Sequence, residues 1–164
     1  MSETFAITNE LAHVTYEENR FVREVTCVGE NRYQSDFVVS GTHRYLYENP
    51  EIASHVSGTT FFEVSRQLMK AVGHIYYSVP LNSRFTLHKV SIDFVQWGRI
   101  GSPISAMICV RPPLGKKTVY GHYEFQIDYV DSGQLLGRFI VDATALSSGA
   151  EKRLISKQFS DRSG

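Results

Sequence analysis

Residues 55–67 read His-Val-Ser-Gly-Thr-Thr-Phe-Phe-Glu-Val-Ser-Arg-Gln, the densest run of potentially reactive side chains in the sequence. A glycine at the start of a helical pattern, here Gly58 with Thr59 after it, lets a substrate approach backbone N–H groups that have no acceptor inside the helix. Those groups carry partial positive charge and can polarise a carbonyl such as that of a thioester. Glu63 falls just over one turn further on, where a carboxylate could take a proton from a hydroxyl. Gln67 follows at i+4 on the same face, where its amide could hold that carboxylate in place. Arg66 offers a planar fork suited to a carboxylate or a phosphate. His55, just ahead of the helix, could act as an acid or position a leaving group. Each of these has a plainer reading. Thr60 and Glu63 match a capping box, in which the two side chains close the first helical turn. Arg66 and Gln67 fit a polar helix surface, and a loop histidine can be without a role. The catalytic candidates are thus Glu63 and His55, and the substrate-binding candidates are Gly58, Thr59, Arg66 and Gln67.

The elements that must position these residues follow from periodicity. At 100° per residue, residues 58–78 place Phe61, Phe62, Val64, Leu68, Met69, Ala71, Val72, Ile75 and Tyr76 in one arc. Glu63, Arg66, Gln67, Lys70 and His74 fall in the opposite arc, so a single long two-sided helix is expected, with His74 in solvent. Ser78-Val79-Pro80 ends it. Ahead of the helix, residues 21–28 and 36–40 read as strands, and a loop containing His43 runs through Pro50. After it come four strands joined by tight turns: 84–95 with a bulge at His88-Lys89, 103–111, 118–130 and 135–146. Asp131-Ser132-Gly133 reads as a hairpin turn. One helix followed by an antiparallel meander is an α+β plan: one domain at 19–147, with a sheet of about five strands wrapping the helix. Residues 1–18 read as an N-terminal arm, and 148–164 as a polar C-terminal tail that frays.

Composition narrows the function classes. The chain has 164 residues, enough for one domain whose core needs neither metal nor disulfide. Lys plus Arg and Asp plus Glu are balanced at 17 each, so nothing favours nucleic acid or an anionic membrane, and little charge repulsion opposes self-association. Cys27 and Cys109 lie in apolar strand-like runs without metal spacing, which reads as two buried free thiols. The histidines show no metal-ligand spacing with a carboxylate, so no metal or bound cofactor is expected. Met1 to Phe5 lack a signal-peptide pattern and no apolar run approaches 18 residues, which points to a cytoplasmic protein. There is no GxSxG, phosphate loop or dinucleotide fingerprint, and Ser57, Ser65 and Cys109 have no adjacent base pattern, which disfavours covalent catalysis.

The order of elements resembles the hot-dog superfamily. Gly58, Glu63 and Gln67 resemble the Gly-x4-Glu-x3-Gln helix start of β-hydroxyacyl-carrier-protein dehydratases, although their His-Phe-Pro segment is missing here. The closer resemblance, over about residues 21–146, is to the A-factor biosynthesis (AfsA-like) hot-dog family. It rests on Glu63-Val-Ser-Arg66-Gln67, His74, Val79-Pro80, Arg84-Phe85-Thr-Leu87 and Ile92-Asp93-Phe94. That resemblance implies transfer of a β-ketoacyl group from an acyl carrier protein to a phosphorylated three-carbon alcohol, toward butyrolactone signals of secondary metabolism. Glu63 would be the general base, and Arg66 would hold a carboxylate or phosphate. The acyl group would ride on acyl carrier protein phosphopantetheine or on CoA. The full A-factor enzymes resemble two such domains in one chain, so a homodimer would supply the second half here. A thioesterase or dehydratase on the same fold, and a non-catalytic module that binds an acyl ligand or scaffolds a partner, remain open alternatives.

Overall fold

The computed structural model describes residues 2–41, 55–113 and 121–160. Its elements in chain order are β1 (Thr4–Ala6), a short helix α1 (Asn9–Ala12), a 3-10 turn (Glu17–Asn19), β2 (Glu24–Gly29) and β3 (Arg32–Val38). Then come the long helix α2 (Gly58–Tyr76), β4 (Arg84–Phe94), β5 (Pro103–Arg111), β6 (Gly121–Asp131), β7 (Gln134–Leu146) and α3 (Ser148–Ser160). The strands form one antiparallel sheet in the order β1-β2-β3-β5-β6-β7-β4.

Alternation along the strands decides which face is buried. Ile104, Ala106, Ile108 and Val110 of β5 point inward, as do Tyr123, Phe125, Ile127 and Tyr129 of β6 and Phe139, Val141, Ala143 and Ala145 of β7. They pack around Phe61, Val64, Leu68, Ala71 and Val72 of α2, so the helix is the axis of the core. A buried polar link fixes its depth: the Tyr129 hydroxyl donates to the Phe61 carbonyl at 3.2 Å and lies 2.7 Å from Ser65 Oγ. This is the expected α+β plan of one helix wrapped by a sheet. The bulge falls where the pattern put it, between Leu87 and Lys89. The β6–β7 hairpin turns at Ser132 (φ 51°) and Gly133 (φ 79°), both left-handed as a two-residue turn requires.

Several expectations change. Among the described residues the sheet has seven strands rather than about five. Residues 24–38 form a complete hairpin around Asn31 (φ 53°), and residues 4–6 add an edge strand. The expected strand at 118–130 is seen from Gly121 onward, while residues 118–120, His43 and Pro50 lie outside the described residues. Residues 148–160, read as a fraying tail, form α3, with Ser147 Oγ accepting from Ala150 N at 3.3 Å as its cap. The cysteines are free but not buried: Cys27 is partly covered and Cys109 is exposed. The alternation that sends Ile108 and Val110 inward sends Cys109 out.

The polar arc of α2 does not face solvent either. Residues 8–21 run across it, with α1 packed on α2. Gln67 is wholly buried and His74 is 9% exposed, so the helix is enclosed on both sides.

Candidate active site

Ser57 caps α2: its hydroxyl accepts from Thr60 N at 3.3 Å and lies 2.9 Å from both Thr59 Oγ1 and Thr60 Oγ1. The Thr60–Glu63 capping box therefore does not form, because the helix begins three residues earlier than that reading placed its cap. Among the described residues, the N–H groups of Gly58 and Thr59 have no acceptor, as the first turn of a helix requires.

Beside this first turn lies a pocket of about 300 Å³ lined by His55, Val56, Gly58, Phe61, Phe94, Val95, Gln96, Trp97 and Gly98. Its far wall is the end of β4 and the loop after it. That loop is tied to the helix start by Val56 N donating to Gly98 O at 2.7 Å and by a bridge between His55 and Arg99. The His55 ring meets Trp97 edge-to-face at 4.0 Å between centroids. Two glycines let the aromatic walls come close to the backbone. A Cβ on Gly58 would stand 3.3 Å from the Phe94 ring, and one on Gly98 would stand 2.9 Å from the Phe61 ring. No Lys, Arg, Asp or Glu lines the pocket among the described residues.

Two of the sequence candidates, His55 and Gly58, meet in this pocket. Thr59 sits at the helix start with its side chain on the cap. Glu63, Arg66 and Gln67 lie elsewhere, under the N-terminal segment. Glu63 Oε1 accepts from Arg66 Nη2 at 2.6 Å and from Gln67 Nε2 at 2.8 Å, and Oε2 accepts from Arg66 Nε at 2.7 Å. Burial alone would raise the Glu63 pKa, but the bonds from Arg66 and Gln67 outweigh it and hold the carboxyl below its ordinary value. Gln67 also donates to Asn19 O at 2.7 Å and accepts from Phe21 N at 3.0 Å, so its amide joins the helix to the covering segment. Further along the same stripe, Lys70 and His74 meet His13 of the covering segment. Burial and the nearby Arg66 lower the Lys70 pKa to about 8.

Sequence reasoning missed Phe94, Trp97, Gly98 and His13. The first three had a local signal, aromatic residues and a glycine directly after a strand. His13 had none, since only the tertiary fold carries it to α2. Among the described residues no group of three or more His, Cys, Asp or Glu could hold a metal ion, and no helix is long and apolar enough to cross a membrane.

The sequence profile of the A-factor biosynthesis hotdog domain matches residues 2–147. This chain belongs to that hot-dog family. No curated protein sequence matches it. Among solved structures, a chain of the dehydratase heterocomplex ApeI:P from Xenorhabdus doucetiae is similar at TM-score 0.68 and 15% identity, covering 92% of this chain and 97% of that one. A thioesterase from Haemophilus influenzae is similar at TM-score 0.53 and 12% identity, covering 76% and 78%. The PaaI protein from the phenylacetic acid degradation operon of E. coli is similar at TM-score 0.50 and 15% identity, covering 73% and 79%. At these identities the likeness establishes the hot-dog fold, which fits the observed helix and sheet.

Proposed function

We propose that this hot-dog protein processes acyl thioesters, transferring a (β-keto)acyl group from a carrier protein or CoA to a small hydroxyl acceptor. The observation that carries the reading is the apolar pocket beside the α2 start, lined by Gly58 and by the His55 imidazole. The acyl chain lies against Phe61, Phe94 and Trp97, and the thioester carbonyl oxygen turns to the N–H groups of Gly58 and Thr59, where developing negative charge is stabilised. The acceptor oxygen then bonds to the carbonyl carbon while its proton passes to the His55 imidazole. The C–S bond breaks, and the proton goes on to the thiolate sulfur, releasing the free thiol.

Glu63 is the base that the family resemblance implies, yet both of its oxygens are held by Arg66 and Gln67. Those bonds hold its carboxyl below the ordinary pKa and make it a weaker base. Arg66 turns its Nε and Nη2 to Glu63 rather than to the pocket, whose lining does not include it. We therefore assign the proton transfer to His55 and give Glu63 and Arg66 the task of shaping the helix start from behind. The chain works as a homodimer through β4, whose outer edge pairs with no strand among the described residues and which exposes Leu87 (39%), Ile92 (38%) and Phe94 (51%).

The test is intact mass spectrometry of acyl carrier protein loaded with acyl, β-ketoacyl and hydroxyacyl chains, with and without dihydroxyacetone phosphate or glycerol. Acyl loss that depends on the alcohol, and that falls at least a hundredfold in His55→Ala, is the expected result. Loss without the alcohol makes the protein a thioesterase, and a mass drop of one water makes it a dehydratase. Binding of an acyl thioester without turnover makes it a binding module. Full turnover by His55→Ala together with none by Glu63→Gln would restore Glu63 as the base.

A further inference from the structure

Behind the pocket, His74 of the α2 stripe meets His13 of the covering segment, and the neighbours of each ring bear on where its proton sits. His74 Nδ1 lies 2.7 Å from the Val79 carbonyl, which can only accept, so that nitrogen carries a proton, and in the neutral ring Nε2 is bare. His74 Nε2 lies 2.8 Å from His13 Nε2, so His13 must donate there. His13 Nδ1 is then bare as well, and at 3.2 Å it accepts from the Lys70 ammonium. The chain of donors runs Lys70, His13, His74, Val79, and it closes only if both rings are neutral. A proton added to His74 sets N–H against N–H. One added to His13 sets N–H against the ammonium.

The two ring planes are 10° apart and their centroids 4.9 Å apart, as fits two rings joined edge to edge through their Nε2 atoms. His13 is the C-cap of α1 in a left-handed conformation (φ 51°), which swings its ring toward α2. Its carbonyl lies 3.5 Å from Arg66 Nη2, the nitrogen that also holds Glu63. His13 thus touches three side chains of the stripe at once. The charged groups around the two rings are Lys70, Arg66 and Glu63 from α2, Glu10 from α1 and, through Lys70, Arg84 of β4; the Phe85 ring of β4 closes the remaining side of His74.

We infer that His13, His74 and Lys70 form an acid-released latch that fastens the N-terminal segment over the Glu63–Arg66 pair. His13 is a positioning residue in this device. The latch stands whether or not the protein turns over thioesters, and only its consequence for catalysis rests on the function proposed above. Burial lowers the His13 pKa from 6.5 to about 4, helped by Lys70, His74 and Arg66. Burial lowers that of His74 as well, against the opposing bond to Val79. A base whose pKa is lowered when the latch closes favours closure fully above its ordinary value. Closure then weakens about tenfold per pH unit on acidification until the lowered value is reached. The window is therefore pH 6.5 down to about 4, a lowering to which Lys70 and Arg66 already contribute, while Glu10 acts the other way on His74.

The test is the full chain studied by histidine ¹⁵N NMR and by amide hydrogen exchange, expressed as protection factors so that the intrinsic pH dependence divides out. At pH 7.5 His13 should carry its proton on Nε2 and His74 on Nδ1. Between pH 7 and 5 protection at residues 9–20 should fall at least tenfold while β6 and β7 keep theirs. In Lys70→Gln/His74→Gln each amide can either donate or accept, so the same segment should show no such fall. A doubly protonated ring at pH 7.5 overturns the latch, as does a loss of protection shared equally by β6 and β7. An unchanged acid response in the double variant overturns it too. If that variant does not fold, the wild-type proton pattern and the segmental exchange still decide.

Discussion

Replacing Gln67 with leucine should loosen the covering segment and cost far more than a surface change. The side chain is completely buried. It supplies an acceptor to Phe21 N, a donor to Asn19 O and a donor to Glu63 Oε1. Leucine fills nearly the same volume, so little cavity term arises and the loss is that of the three bonds. Removing the bonding partner of a buried polar group costs about 1–3 kcal/mol. The Phe21 N–H and the Asn19 carbonyl each lose such a bond, while Glu63 keeps both bonds from Arg66 and is only half-buried. Two such costs give about 2–6 kcal/mol, partly offset by the apolar burial of leucine, for a net loss of about 1–4 kcal/mol. Urea unfolding followed by circular dichroism measures it, provided the slope of the transition is unchanged. Amide exchange at residues 19–21 should speed up in parallel. A net loss under about 1 kcal/mol would refute the reasoning, because water or a shift of the segment would then be replacing the amide with little effect.

Three further outcomes follow from the same geometry. Tyr129→Phe should destabilise by about 1 kcal/mol, since Ser65 keeps its bond to the Phe61 carbonyl and only the Tyr129 bonds are lost; a thermal melt measures it. Ile92→Lys places a charge on the exposed edge of β4, and sedimentation velocity should show the dimer lost with the monomer still folded; a dimer that persists would move the interface elsewhere. Trp97 is the only tryptophan and lies at the pocket with 71% exposure, so an acyl-CoA thioether that enters should shift its emission to shorter wavelength; saturating ligand without any shift would place the acyl chain outside this pocket.

The parts legible in the sequence were those written in local pattern. Residues 58–76 announce a helix through a nine-residue apolar arc. The slip at His88-Lys89 announces a bulge, and Ser132-Gly133 announces a left-handed turn. Period-two alternation was legible too, and carried one step further it would have put Cys109 outside. The covering of the polar arc was not legible. Residues 8–20 have little periodicity of their own, and they are held by bonds from Gln67 and His74 whose partners lie 48 and 61 residues away. Two helix caps also overlapped in the text of the sequence, Ser57-x-x-Thr60 and Thr60-x-x-Glu63. The first prevails, with Ser57 as the cap, and Glu63 bonds to Arg66 and Gln67 instead.

The candidate site was legible as residues but not as an arrangement, and helical geometry explains the difference. At about 100° per residue, the five steps from Gly58 to Glu63 turn the helix by about 500°, leaving the two on nearly opposite sides. The four steps from Glu63 to Gln67 leave them about 40° apart. A motif of glycine, glutamate and glutamine at this spacing therefore describes two surfaces. One is the glycine with its open N–H groups, facing Phe94 and Trp97. The other is a carboxylate stripe, which in this chain is closed by the segment carrying His13. On a helix exposed on one side only, the second surface would be free to meet a substrate. On a helix with this stripe covered, its chemistry depends on what covers it, so the identity of residues 8–20 bears on the function as directly as that of residues 55–67.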